Sequence, residues 1–341
     1  MASRGNSVEW PLMAEPSLTV RASPRELDPG IEQHRVELTA YCYRMLGSPF
    51  DAEDAVQETL LRAWRSLDRF EGRAALRSWL YRIATNVCLD FLNGRQRRAR
   101  PMDLGPARSP EAANLYTKPE ATWIEPMPDG LVMPEADPAD VAVARETVRL
   151  AFVAALQHLP ARQRAVLILC EVLRWKASEV AELLGTSVVS VNSALQRARA
   201  TLAASDVSAP GPSGLSEADR ALLDRYVDAF ERYDMEALTS LIHEDATQSM
   251  PPYDLWLRGR GDILEWWLGP GIGCRGSRVI PTVAANGSPA FGQYKPAPGG
   301  GYDPWALQVI ELSAGRIAEF TFFLGTERLF PLFGLPARLD A

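Results

Sequence analysis

Asn192, Ser193, Gln196, Arg197 and Arg199 crowd the outer face of one helical stretch. Amides and guanidiniums at this spacing can pair with base edges and phosphates from a helix lying in the major groove. The segment Ala177 to Leu202 must position them. Val180, Ala181, Leu183 and Leu184 form an apolar helix, Gly185 a turn, and Thr186-Ser187 an N-cap. A second helix follows, with Val188, Val191, Ala194, Leu195, Ala198 and Leu202 expected to face inward. Ala181, four residues before Gly185, permits a close helix crossing, and Val191, six residues after it, fills the corner. That is helix-turn-helix spacing. The competing structural reading is an αα-hairpin with a solvated basic face.

A second set lies on the helix expected over 76–93. Trp79, Tyr81 and Asn86 alternate there with Arg77 and Arg82, and Arg95-Gln96-Arg97-Arg98-Ala99-Arg100 closes the helix. Aromatic rings stack on unpaired bases while arginines hold phosphates. The competing reading is a core tryptophan and a solvated helix end. A third set, His243, Asp245, Asp262 and Asp303, has acid–base chemistry but no readable mutual geometry.

The charge balance supports the first two sets once it is resolved along the chain. The 341 residues carry a net charge of −7, which alone argues against nucleic acid. The net charge is +3 over residues 31–100, −6 over 101–140, +4 over 141–205 and −6 over 207–341. Two basic blocks therefore stand between acidic ones. Of the 36 basic residues only Lys118, Lys176 and Lys295 are lysines. Three histidines and four dispersed cysteines, Cys42, Cys88, Cys170 and Cys274, argue against a metal site or a disulfide framework and fit a reducing cytoplasm. No apolar run is long enough for a membrane span, and no secretory signal is expected.

The elements divide the chain into blocks. Residues 1–30 read as a flexible arm. Helices are expected over Ile31 to Leu46, Asp51 to Leu67 and Leu76 to Phe91, the second with Val56, Leu60, Trp64 and Leu67 on its buried face. Residues 101–140, with eight prolines and eight acids, read as an extended linker. Within it, Trp123-Ile124-Glu125-Pro126 reads either as a docking spot on a neighbouring domain or as a short recognition element. Residues 141–205 are helical and 206–214 a joint. Over 215–341, helices give way to strands: a helical pair from Leu215 to Glu244, a helix from Gly259 to Leu268, and a hairpin over 305–312 and 317–324. That order means an α+β domain. Trp256, Trp266, Trp267, Tyr294, Trp305 and Phe320 are candidates to line a pocket in it or to form its core. Gly299 to Asp303 reads as a docking or gating loop and Phe330 to Leu335 as a tail contact.

Asp51-Ala52-Glu53-Asp54-Ala55-Val56-Gln57-Glu58 through Trp64, and Ser78-Trp79-Leu80-Tyr81-Arg82-Ile83-Ala84-Thr85-Asn86 through Asp90, resemble the polymerase-binding and promoter-melting segments of extracytoplasmic-function (ECF) sigma factors. Leu159-Pro160-Ala161-Arg162-Gln163-Arg164 and the helix-turn-helix resemble the fourth region of that family. The order of elements after residue 215 resembles the subgroup with a SnoaL-like (NTF2-like) C-terminal domain.

The resemblance implies a multi-domain fold: two all-α domains, 31–100 and 141–205, and an α+β NTF2-like cone over 215–341. It implies promoter-specific initiation without enzymatic activity, and core RNA polymerase (largest and second-largest subunits) and promoter DNA as partners. No cofactor or membrane is implied. A small molecule in the last domain is a further candidate partner, and that domain is expected to regulate the other two. Asp51, Glu53, Asp54, Gln57 and Glu58 would dock on polymerase. Phe70, Arg73, Trp79, Arg82, Asn86, Arg95, Arg97 and Arg98 would hold −10 DNA. Ser187, Val189, Asn192, Ser193, Gln196, Arg197 and Arg199 would read the −35 element. The linker would thread the polymerase channel. Two alternatives stand beside this: a one-component helix-turn-helix regulator with 31–100 as a spacer, and an enzyme fused to a DNA-binding module.

Overall fold

The computed structural model describes residues 29–67, 70, 75–133, 144–203 and 215–340. The N-terminal arm, the joint at 206–214, Arg73 and residues 134–140 of the linker lie outside the described residues. Two compact units result. One gathers 100–120 with the C-terminal 211–341, the other 19–99 with 121–210. The 101–140 segment is thus divided between them.

In the helical unit, α1 (Pro29–Glu32) and α2 (Arg35–Leu46) replace the single first helix expected from periodicity. Gly47, at φ 73°, ends α2 by donating its N–H to the Tyr43 carbonyl at 2.8 Å. Only glycine adopts this left-handed cap without strain. Ser48 then caps α3 (Pro49–Ser66) by accepting the Asp51 N–H, with Pro49 preset for the first turn. Three consecutive residues thereby reverse the chain. The helix α4 (Leu76–Leu92) closes the bundle around Tyr41, Tyr43 and Tyr81, none of them solvent-exposed. Trp64 departs from expectation. It is 42% exposed, turned away from the Val56 and Leu60 that share its period. A helical stripe wider than the neighbouring helices leaves its margin in solvent.

Residues 121–133 pack on this bundle. Ala99 and Trp123 form a parallel bridge, the Arg98 guanidinium donates to the Trp123 carbonyl at 2.6 Å, and Tyr43 Oη donates to the Glu125 carbonyl at 2.9 Å. Trp123 is 3% exposed, so the docking reading holds.

The helices α5 (Leu150–Gln157), α6 (Ala161–Leu167), α7 (Ala177–Leu184) and α8 (Val188–Ala203) complete the unit. Gly185, at φ 61°, caps α7, and Ser187 Oγ caps α8 by accepting the Ser190 N–H at 3.2 Å. Within α8 only Val191 and Ala198 are buried, so Val188, expected inside, stands exposed at the helix start. A first-turn residue has no preceding turn beneath it to pack on.

Arg164 joins these helices to α2. Its guanidinium, 3% exposed, donates to the Met45, Gln157 and Leu159 carbonyls and to Gln157 Oε1 at 2.6 Å. Arg44 does likewise, with Nη2 donating to Thr147 Oγ1 at 2.7 Å. Burial lowers both guanidiniums to about 10, since neither gains a carboxylate. Trp175 lies 5.1 Å from the Tyr81 ring, and the Arg77 guanidinium stacks on both.

The second unit holds α9 (Glu217–Arg232), α10 (Met235–Leu241), α11 (Arg260–Leu268) and α12 (Thr326–Leu332) with a six-stranded sheet. Its strands are β1 (Ile242–Ser249), β2 (Trp256–Arg258), β3 (Arg278–Ala285), β4 (Ser288–Pro296), β5 (Tyr302–Ser313) and β6 (Arg316–Phe323). Their order is β2-β1-β6-β5-β4-β3, antiparallel except for β1 beside β6. The expected hairpin is β5–β6. The expected helical pair stops at Leu241, because β1 begins at Ile242, which pairs with Ile317 of β6. Tyr226, Phe230, Trp267, Phe291 and Phe320 form the core on one sheet face. On the other, Leu335 sits so close to Gly292 that a Cβ there would lie 2.8 Å from its methyls.

We expect Arg164→Ala to strand three carbonyls and a buried amide. Loss of about 2–4 kcal/mol should appear as a lower urea midpoint at unchanged slope; an unmoved midpoint would count against the tie.

Candidate nucleic-acid and polymerase interface

The residues expected to act sort into free and occupied groups. On α3, Asp54 and Gln57 are exposed, and Leu61 and Trp64, 38% and 42% exposed, continue their stripe. Gln57 Nε2 donates to Glu53 at 3.2 Å, and Glu58 is ion-paired to Arg62 at 2.6 Å. Asp51 faces inward instead, binding Arg98 at 2.7 Å and Arg95 at 3.1 Å. Burial pushes its carboxyl up, but the two guanidiniums outweigh burial and hold it below the usual carboxylate range.

On α4, Trp79, Arg82 and Asn86 share one face at spacings of three and four. Arg82 and Asn86 are exposed and carry no ion pair or side-chain hydrogen bond among the described residues. Phe70 stacks on Trp79 at 5.0 Å. The basic run beyond the helix is more constrained. Arg98, 11% exposed, is shared between Asp51 and Glu125. Arg95 covers the Phe91 ring, and Arg97 meets His158 at 2.6 Å. Arg73 lies outside the described residues.

On α8, Val189 is 74% exposed, and Asn192, Gln196 and Arg197 follow it along one stripe. Ser193 is half-buried, Ser187 serves as the cap, and Arg199 is ion-paired to Glu171. A helix whose first turn is exposed and whose next two turns carry free amide and guanidinium groups suits a groove.

The α+β unit carries a cavity of about 220 Å³. Trp266, Trp267 and Trp305 line it as expected. Trp256, Tyr294 and Phe320 do not. Trp256 Nε1 donates to the Gly105 carbonyl at 2.8 Å, Tyr294 packs on Phe330, and Phe320 is core. His243, Asp245, Asp262 and Asp303 are also absent from the lining. Asp303 pairs with Arg338, and His243 Nδ1 accepts the Asp245 N–H. The Gly299–Asp303 loop is engaged by the chain's own tail, Tyr302 and Leu339 exchanging two backbone hydrogen bonds.

The sequence reading missed the strap formed by residues 105–118. Arg108 N–H donates to the Trp256 carbonyl at 3.1 Å and Lys118 N–H to the Pro252 carbonyl at 2.9 Å. The Asp254 carboxylate, 8% exposed, pairs with Arg108 at 3.2 Å and Lys118 at 3.8 Å. Leu115 of this strap lines the cavity. The only signal was Arg108 and Lys118 themselves, the two cations in an otherwise acidic segment.

The family description Sigma-70 region 2 matches residues 31–98, Sigma-70 region 4 residues 149–202, and SnoaL-like domain residues 223–320. The chain is 48% identical to the ECF RNA polymerase sigma factor SigG of Mycobacterium tuberculosis over 316 residues, covering 90% of this chain and 83% of that one. The chain belongs to the ECF sigma factors. It is 31% identical over 217 residues to SigJ of the same organism, covering 63% of this chain and 62% of that one. The crystal structure of SigJ shares the fold at a TM-score of 0.56, with 21% identity, covering 90% of this chain and 97% of that one. The match of region 2 to 31–98 disfavours the reading of that block as a spacer in a one-component regulator. Among the described residues of this sigma factor, no helix is long and apolar enough to cross a membrane.

Asp51→Asn should remove a carboxylate whose contribution is complete above the ordinary carboxylate range, near pH ~4, and fades as pH falls through its depressed folded value. The stability difference between wild type and variant, from urea midpoints, should be largest near pH 7 and shrink below pH ~4.

Proposed function

We propose that three surfaces divide the work of this alternative sigma factor. The exposed stripe of α3, with Asp54, Gln57 and Glu58 at its acidic end and Leu61 and Trp64 beyond, docks on core RNA polymerase. Acidic groups around an apolar strip suit a basic partner surface. The Trp79, Arg82 and Asn86 face of α4, with Phe70, engages melted −10 DNA, aromatic rings stacking on bases and Arg82 holding phosphate. The Val189, Asn192, Gln196 and Arg197 stripe of α8 reads the −35 duplex, with Ser187 and Ser193 at its edge.

One observation carries this assignment. Arg95, Arg98 and Arg199 are held by carboxylates, whereas Arg82 and Arg197, beside exposed amides, have no ion pair among the described residues. The occupied arginines shape the modules, and the free ones remain for DNA. Arg95, Arg97 and Arg98 therefore act on −10 DNA mainly by orienting the chain that leaves α4.

The α+β domain controls initiation through the strap. Asp254, Arg108 and Lys118 fasten to this domain the same chain that connects the polymerase-binding and −35-reading modules.

Purified protein with core polymerase should give run-off transcripts from its own promoters. Replacing Asp54 and Glu58 by arginine should abolish polymerase pull-down while the urea midpoint shifts by less than about 1 kcal/mol; retained pull-down would remove the docking role. Arg197→Ala should weaken −35 binding by ~1–3 kcal/mol and relax specificity at one base pair. A uniform loss across sequences would instead assign Arg197 to phosphate.

A further inference from the structure

The cavity of the α+β domain is apolar on its walls and cationic at one point. Trp266, Trp267, Trp305, Phe230 and Met235 supply flat or flexible apolar surface. Two polar groups reach it with hydrogen-bonding capacity to spare. Gln248 is 1% exposed, and its Oε1 accepts Trp267 Nε1–H at 2.8 Å. Indole can only donate, so the amide orientation is fixed and Nε2 is the atom left over. Lys295 stands over the Trp305 ring with Nζ 3.1 Å from the centroid. Its register partner across the strands, Asp303, is turned to Arg338, and Nζ forms no ion pair among the described residues. Burial, opposed by the neighbouring Cys274 sulfur, holds the ammonium below the usual lysine range. No aspartate or glutamate lines the cavity.

Gln293 is the counter-example that sharpens the point. It also lines the cavity, yet its amide donates to Ser277 Oγ at 3.1 Å and its carbonyl accepts Gln308 Nε2 at 2.9 Å. Gln308 in turn accepts Tyr226 Oη at 2.8 Å. This chain of bonds satisfies the cavity floor internally, while Gln248 Nε2 and the Lys295 ammonium, which also meets the Cys274 sulfur, keep donors to offer. A half-buried cation over an aromatic face and a buried amide with a donor to spare, with no acid among the lining residues, make a seat for an anion from outside. The surrounding indoles require that anion to carry a flat apolar body. The volume of about 220 Å³ exceeds the ~150 Å³ of an engineered apolar cavity that takes benzene. One or two fused rings fit.

We propose that this cavity binds a planar aromatic carboxylate, its charge on Lys295, its second hydrogen bond from Gln248 and its ring on the tryptophan walls. Because Leu115 belongs to the wall, the bound molecule also touches the strap. The neighbouring strap bonds, Asp254 N–H to the Tyr116 carbonyl and Lys118 N–H to the Pro252 carbonyl, are strengthened by occupancy. By linkage the ligand then favours the docked strap to the extent that docking favours the ligand.

The test uses the full-length protein without polymerase or DNA, so its result is independent of whether the chain initiates transcription. The probes are 2-naphthoate and its neutral isostere 2-naphthamide, titrated by tryptophan fluorescence and calorimetry. Naphthoate is expected to bind at least tenfold more tightly than the amide. Lys295→Met is expected to erase that preference while leaving amide affinity within twofold. Hydrogen exchange of the strap peptide around residues 105–119 is expected to slow at least threefold with naphthoate. Equal affinity for the two probes in wild type, which needs no variant, overturns the anion site. So does a preference that survives Lys295→Met, or binding by neither probe. Binding without strap protection overturns the coupling.

Discussion

A guanidinium with no carboxylate decides the architecture of the helical unit. Arg164 is buried where α2 ends, and only backbone carbonyls and one amide receive its protons. A helix C-terminus offers carbonyls without intrahelical partners and a negative dipole end, so it can host a cation that a carboxylate would otherwise have to neutralise. The Met45 carbonyl is open because Gly47 stops α2 there, and the Gln157 and Leu159 carbonyls come from the end of α5 and the turn after it. Gly47, Ser48 and Pro49 thus set both the direction of α3 and one side of the seat of Arg164. Arg98 completes the same corner by bridging Asp51 and Glu125.

The α+β unit solves a related problem with the opposite charge. Asp254 is buried, and Arg108 and Lys118 reach it from the strap. A buried carboxylate that loses both partners is costly, so the domain holds the strap more firmly than an exposed ion pair would. The segment that completes the cavity wall is also part of the chain that runs between the region 2 and region 4 modules.

Much of this was legible in residue order. Apolar positions recurring every three or four residues marked α3, α4, α7 and α8, because each buries one stripe. The helix-turn-helix followed from Ala181, Gly185 and Val191, whose sizes the crossing dictates. Periodicity failed at margins. Trp64 and Val188 have the right phase and no neighbour to cover them. Ile242 continued a helical pattern but was captured by pairing with Ile317 of β6, 75 residues along the chain, and His243 and Glu244 follow it into β1. The cavity was least legible, as Gln248, Gln293 and Lys295 come from two separated strands. Three aromatic candidates went to the core or to the strap instead. The rarity of lysine in an arginine-rich chain was the one local hint at Lys295.

The stacking of Trp175 on Tyr81 and Arg77 has a thermodynamic consequence. Promoter elements centred near −10 and −35 are separated by about 25 base pairs, or roughly 85 Å of duplex at ~3.4 Å per pair. A globule of about 150 residues has a radius of gyration near 15 Å. If α4 and α8 contact those two elements as proposed, they do not span that separation while Trp175 remains seated. Every ~1.4 kcal/mol stored in this clasp therefore weakens apparent affinity for the extended, transcribing assembly tenfold. Under the proposed assignment of α4 and α8, the clasp is therefore a contact that the extended assembly must break.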